Sequence, residues 1–341
     1  MWEPDDYLDA LYKKTMESHA YDFGKEKDRI RLKEKLAYSL GRFPVNNKEF
    51  NEETISESET AEYYREQIVI KSVDGLVMPM YILTPKQKKK EYPAVLALHG
   101  HGYGSGEVVG LSLDGSEAEG SVGIHHHFGI ELVRRGMKVI APELVGFGDR
   151  RLIEDKKKEK ANSCYRLAVN LLMHGKTLAG LRVHEAIRAL DYIGELKDVE
   201  QDRLGIMGFS GGGLIAALTA ILDNRIHATV LSGFTNTFRE SILASDHCLD
   251  NYIPGLLTIA ELPELIGLIH PRALFIETGT NDGCFPITGA RSAIDRISHI
   301  YNSTSTGGSF GYDIFEGGHE VNGRMALDWL KNQLIIGGEK S

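Results

Sequence analysis

The chain has 341 residues, 42% of them apolar and 26% charged, an ordinary globular usage that excludes a disordered or fibrous protein and supports a sizeable buried core. A formal net charge of -9 repels a phosphate backbone or an anionic membrane surface, which argues against nucleic acid and membrane as partners. The three cysteines, Cys164, Cys248 and Cys284, are odd in number and form no CxxC pair, so their spacing suggests neither a disulfide framework nor a zinc site, and a reducing cytoplasm fits best.

The start, Met1 to Asp6, is acidic where a secretory signal would be basic, and no apolar run approaches the roughly 18 residues that a membrane span needs. A soluble, unexported protein is expected. Up to about Thr60 the chain is charged, with apolar residues at helical intervals, as in Tyr7-Leu8, Leu11-Tyr12, Ile30, Leu32 and Leu36. This predicts a helical N-terminal extension over 1–60, ahead of one catalytic domain over 61–341. Gln67 to Ile70 and Val77 to Leu83 then flank Asp74-Gly75, a strong hairpin signal, so two antiparallel strands open the domain.

Short, continuously apolar runs follow: Ala94 to Leu98, Lys138 to Ala141, Leu204 to Met207, Ala228 to Leu231, Ala273 to Ile276 and Tyr312 to Phe315. Helical patterns lie between and after them at Ile130 to Arg135, Leu181 to Ile193, Leu214 to Leu222, Ala290 to Ile300 and Arg324 to Leu334. Strand alternating with helix means an α/β protein with a mostly parallel central sheet buried on both faces. Two connections, Arg150 to about Lys176 and Thr235 to about Ile269, are too long for plain crossovers, and long loops on such a scaffold usually carry function. The lysine runs 88–90 and 156–158 sit beside glutamates in polar stretches and read as solvated loops.

Gly208-Phe209-Ser210-Gly211-Gly212 fits G-x-S-x-G and sits between a strand and a helix pattern, the turn that lifts a serine hydroxyl above a sheet. A serine hydroxyl becomes a useful nucleophile only when an imidazole takes its proton, and the imidazole needs a carboxylate to fix its tautomer. Asp282, in Gly279-Thr280-Asn281-Asp282-Gly283, and His319, in Glu316-Gly317-Gly318-His319-Glu320, each follow a strand pattern and come in the order serine, acid, base. Glu277, Asp149, Asp246 and Asp250 stay open as alternative acids. His299 lies within a helix pattern and His270 before a strand, which leaves His319 as the base. The loop His99-Gly100-His101-Gly102 follows the strand Ala94 to Leu98, where a second oxyanion donor belongs, and the backbone N–H groups of His101 and Gly211 are the candidates. The side chains of His99 and His101 are alternatively supports for this loop. His125-His126-His127 point in diverging directions and have no conventional fourth ligand beside them, so no metal and no other cofactor is expected.

Together the HGHG, PELVGFGD, GFSGGG, GTNDGCFP and GGHE segments resemble the α/β-hydrolase superfamily, and most of all its acetyl xylan esterase and dienelactone hydrolase-like branch. The resemblance spans roughly residues 65 to 335. It implies the α/β-hydrolase fold, with Ser210 as nucleophile, Asp282 as acid, His319 as base and His99-Gly100-His101 as the oxyanion loop. Dienelactone hydrolases place a cysteine at the nucleophile position, so Ser210 favours an esterase. The expected activity is cleavage of small-molecule carboxylic esters, short-acyl esters of a polar or carbohydrate alcohol in particular. A prolyl-oligopeptidase-like peptidase and a non-catalytic binding protein on the same scaffold are the alternatives. The helical extension would shape the site mouth, form a contact in a homo-oligomer, or cover an edge.

Overall fold

A computed structural model describes residues 2–44, 49–73, 75–118, 122–303 and 307–336. Two helices, α1 (Asp5–Glu17) and α2 (Glu26–Leu40), precede three strands, β1 (Glu53–Glu59), β2 (Tyr63–Lys71) and β3 (Val77–Pro85). Then come β4 (Tyr92–Leu98), α3 (Phe128–Arg134), β5 (Lys138–Pro142), the short α4 (Ile153–Lys157), α5 (Cys164–Met173) and α6 (Leu178–Glu195). The remainder is β6 (Val199–Phe209), α7 (Gly211–Leu222), β7 (Ile226–Ser232), α8 (Leu262–Gly267), β8 (Ala273–Gly279), α9 (Ile287–Ser303), β9 (Phe310–Phe315) and α10 (Ala326–Lys331). The six apolar runs all fall on strands, and the two long connections hold α4, α5 and α8.

The strands form one sheet in the order β1-β2-β3-β5-β4-β6-β7-β8-β9. Pairing is antiparallel from β1 to β5 and parallel from β5 to β9. Burial follows from this division. Along β2 inward and outward residues largely alternate, whereas every residue of β4 and β8 is buried, because helices cover the parallel part on both faces. One face packs against α2, α6, α7, α8 and α9, and the other against α3 and α10. Leu32, Leu36 and Leu40 give α2 one apolar stripe, and all three are buried in the first of these cores.

The hairpin expectation at Asp74-Gly75 falls partly outside the described residues, since Asp74 is not among them; β2 and β3 pair antiparallel from Lys71↔Val77 to Tyr63↔Pro85. Within the stretch expected to be helical, β1 is a strand. All seven of its residues are exposed, so it carries no apolar rhythm and is held by backbone pairing to β2, helped by surface contacts such as Glu59 with Lys86 at 3.0 Å. Among the described residues no helix is long and apolar enough to cross a membrane.

The chain reverses its direction of travel across the sheet at β4, which has β5 on one side and β6 on the other. Loops leaving the carboxyl ends of β4 and β6 therefore diverge over a crevice, the place where open α/β sheets bind ligands.

Candidate active site

Ser210 stands between β6 and α7 with φ 54° and ψ -121°, a backbone conformation that costs a non-glycine residue of order 1–3 kcal/mol. The turn is held by Ser210 N–H donating to the Ser232 carbonyl at 2.9 Å and by close approach around it. A Cβ on Gly208 would lie 2.2 Å from the Gly212 carbonyl oxygen, and one on Gly212 would lie 2.2 Å from that of Leu98. Glycine at both positions is thus a packing requirement, which explains the pattern around the serine.

The structure brings the three candidate residues into one hydrogen-bonded chain. Ser210 Oγ donates to His319 Nε2 at 2.8 Å, and His319 Nδ1 donates to Asp282 Oδ2 at 2.8 Å. The other carboxylate oxygen of Asp282 accepts from the Cys284 and Phe285 N–H groups at 2.8 and 2.9 Å. The His319 ring has Phe209 on one side and Phe285 on another, with centroids 4.9 and 5.8 Å away. A pocket of about 410 Å³ opens over Ser210 and His319, with Ser245, Asp246, His247, Cys248 and Asn251 along its wall.

Among the described residues, none of the alternative acids is hydrogen-bonded to His319 Nδ1, whose partner is Asp282. Asp149 is 93% exposed beside Lys156, Asp246 is in the pocket wall, and Asp250 is buried against Arg182. Glu277 is fully buried and does different work: it accepts from Ser232 Oγ, from Asn322 N–H at 3.0 Å and from Gly323 N–H at 2.6 Å. Burial pushes its carboxyl above the usual carboxylate range, while three facing donors suit the ionised form. Glu277 thereby ties the segment after His319 to the strand end beneath Ser210. Glu277→Gln would turn an amide NH2 toward one of these backbone donors, and a buried donor left unpaired costs about 1–3 kcal/mol. The urea midpoint should fall accordingly; an unchanged midpoint would mean that the carboxylate does not hold this segment.

The loop after β4 is held at several points. A Cβ on Gly100 would lie 2.9 Å from Ser210 Cβ, so this loop runs directly against the serine. Gly100 N–H donates to His125 Nε2 at 2.9 Å, and His125 Nδ1 donates to Glu107 Oε2 at 2.9 Å. Burial holds His125 below its ordinary pKa despite Glu107, so the ring is neutral and able to accept. Glu107 also accepts from Tyr103 N–H, and Glu143 accepts from Ser105. His99 donates from Nδ1 to the Gly100 carbonyl and accepts the Leu144 N–H at Nε2. The three adjacent histidines separate: His125 faces the loop, His126 approaches Glu320 at 3.4 Å, and His127 precedes α3. The His101 ring lies beside Gly211, within 3.3 Å of where a Cβ there would be. Gly211 is the first residue of α7, so its N–H has no acceptor within the helix.

Sequence reasoning missed the supporting roles of Glu107, Glu143 and Glu277. Only Glu277 left a signal, a carboxylate inside an apolar strand run.

The sequence pattern of the Abhydrolase family matches residues 10–295. The chain is 28% identical over 278 residues to "Putative hydrolase YtaP" of Bacillus subtilis (strain 168), covering 80% of this chain and 88% of that protein. Among solved structures, a "putative acetyl xylan esterase" from Bacteroides fragilis NCTC 9343 has a TM-score of 0.77 at 16% identity, over 92% of this chain and 83% of the other. A glucuronoyl esterase from Solibacter usitatus has a TM-score of 0.66 at 17% identity, over 89% and 91%. At these identities both structures speak for a shared fold.

Proposed function

Because the chain belongs to the Abhydrolase family and has the α/β-hydrolase fold, we propose that it is a carboxylic ester hydrolase working through an acyl-enzyme on Ser210. The observation that carries this reading is the unbroken chain of hydrogen bonds from Asp282 through His319 to Ser210, open to a pocket at the sheet's switch point.

In the proposed reaction Ser210 Oγ attacks the ester carbonyl while His319 Nε2 takes its proton. The tetrahedral oxyanion faces the His101 and Gly211 N–H groups, two donors worth several kcal/mol to the transition state. His319 returns the proton to the leaving alkoxide, and the acyl group stays on Ser210. Water then attacks that acyl group with His319 again as base, releasing the acid and restoring the serine. Asp282 keeps the proton on Nδ1 and stabilises the imidazolium formed at each step. These steps use only side chains and backbone groups of the chain.

The pocket wall supports a short acyl group and a polar alcohol. Ser245, Asp246, His247 and Asn251 offer hydrogen bonds to hydroxyls, whereas an apolar slot would gain about 1–3 kcal/mol for each methylene of a longer chain. Carbohydrate esters are the alcohol class we favour, which agrees with the names of the two structural neighbours. Across nitrophenyl esters from acetate to palmitate, kcat/KM should be highest at the short end. A rise toward long chains would overturn the acyl assignment, and equal rates on acetylated sugars and simple alkyl acetates would overturn the alcohol assignment.

A further inference from the structure

In the pocket wall and behind it lies a second group of reactive side chains that ester cleavage does not use. We propose that His101, Cys164, Cys248 and Asp250 form a binding site for a thiophilic divalent transition-metal ion, zinc being the ordinary choice. One ligand atom from each of the four residues lies within 4.8 Å of every other. They come from three separate parts of the chain: the loop after β4, the first residue of α5, and the connection between β7 and α8. Two cysteines, an imidazole and a carboxylate are a tetrahedral zinc set in number and kind, and thiolates favour zinc over magnesium or calcium.

A second observation points the same way. The Nε2 atom of His101 is buried and, among the described residues, has no hydrogen-bond partner. It lies 3.5 Å from Asp250 Oδ2, aimed into the cluster. A buried polar atom of this kind needs an explanation, and a metal ion supplies one.

Charge is the natural objection, because the buried Arg182 guanidinium donates to Asp250 Oδ2 and, at 3.2 Å, to Cys164 Sγ. Arg182 and Asp250 already cancel one another. With a divalent ion bound, two thiolates, the Asp250 carboxylate and the Arg182 guanidinium leave the group neutral, so the low-dielectric setting does not oppose it. Arg182 then donates to a metal-bound thiolate and carboxylate, an outer-shell role that orients ligands. The ion would pin the loop carrying His101 to both long connections.

The test uses the full-length protein, purified under reducing conditions, stripped with a strong chelator and titrated with cobalt(II) and with zinc. About one ion per chain should bind, with the cobalt form showing thiolate-to-metal charge-transfer absorption, and zinc should protect Cys248 from alkylation. Cys248→Ser should lose about half of the charge-transfer absorption and weaken binding by roughly tenfold or more, with its circular dichroism unchanged. Ser210→Ala should bind the ion as the unaltered protein does, which separates this site from the hydrolase reading. The proposal is overturned if no ion is retained, if zinc leaves Cys248 alkylation unchanged, or if Cys248→Ser binds cobalt with the band undiminished. A disulfide between Cys164 and Cys248 under these conditions would overturn it as well.

Discussion

Replacing Ser210 by alanine should lower turnover of an activated ester by up to about a millionfold while leaving the protein folded. The hydroxyl is the only atom removed. The backbone at 210 keeps its bond to the Ser232 carbonyl, and the glycine contacts that define the turn do not involve the side-chain oxygen. His319 remains in place against Asp282 but has no nucleophile to activate. A fluorophosphonate probe should label the unaltered protein at Ser210 alone, as peptide mapping would show. Labelling of another serine or a cysteine, or retained activity in Ser210→Ala, would assign the chemistry to a different residue.

Asp282→Asn should cost about ten-thousandfold in kcat with little change in melting temperature. The reason is one of tautomers. The amide oxygen would keep the bonds from the Cys284 and Phe285 N–H groups, because that end is fixed by two backbone donors. Its NH2 would then face His319 Nδ1, which must accept instead of donate. The ring proton moves to Nε2, where it points at Ser210 and can no longer take the serine's proton. If Asp282→Asn were near the unaltered protein while Asp246→Asn was crippled, the acid would be Asp246 from the pocket wall.

The parallel half of the sheet could be read from the sequence because strands buried on both faces need uninterrupted apolar runs, and Ala94 to Leu98 or Ala273 to Ile276 leave little other use for such residues. The loops holding Ser210, Asp282 and His319 were legible for a related reason: each follows such a strand, and the glycines beside them mark where backbones come close. What escaped was of two kinds. The strand Glu53–Glu59 buries none of its residues, so hydrophobic rhythm has nothing to record there. The bonds that Glu107 accepts from His125 and Glu277 from Asn322 and Gly323, and the gathering of His101 with Cys164, Cys248 and Asp250, depend on which loops meet in space. Spacing along one segment carries no trace of that, and a search for CxxC passes over ligands that come from three segments.

The strand before His319, Phe310–Phe315, is one of the two edges of the sheet and pairs with Ala273–Gly279 alone among the described residues. Edge elements open locally at less free energy than the core they border. The His319 imidazole is therefore hung from an edge of the sheet, while Ser210 directly follows a central strand, Val199–Phe209. In a partly denatured chain the turn around Ser210 can be complete while His319 is still out of place, and the proposed reaction would then be absent. On the proposed mechanism, activity would then act as a gauge of that edge, fading before the central strands melt.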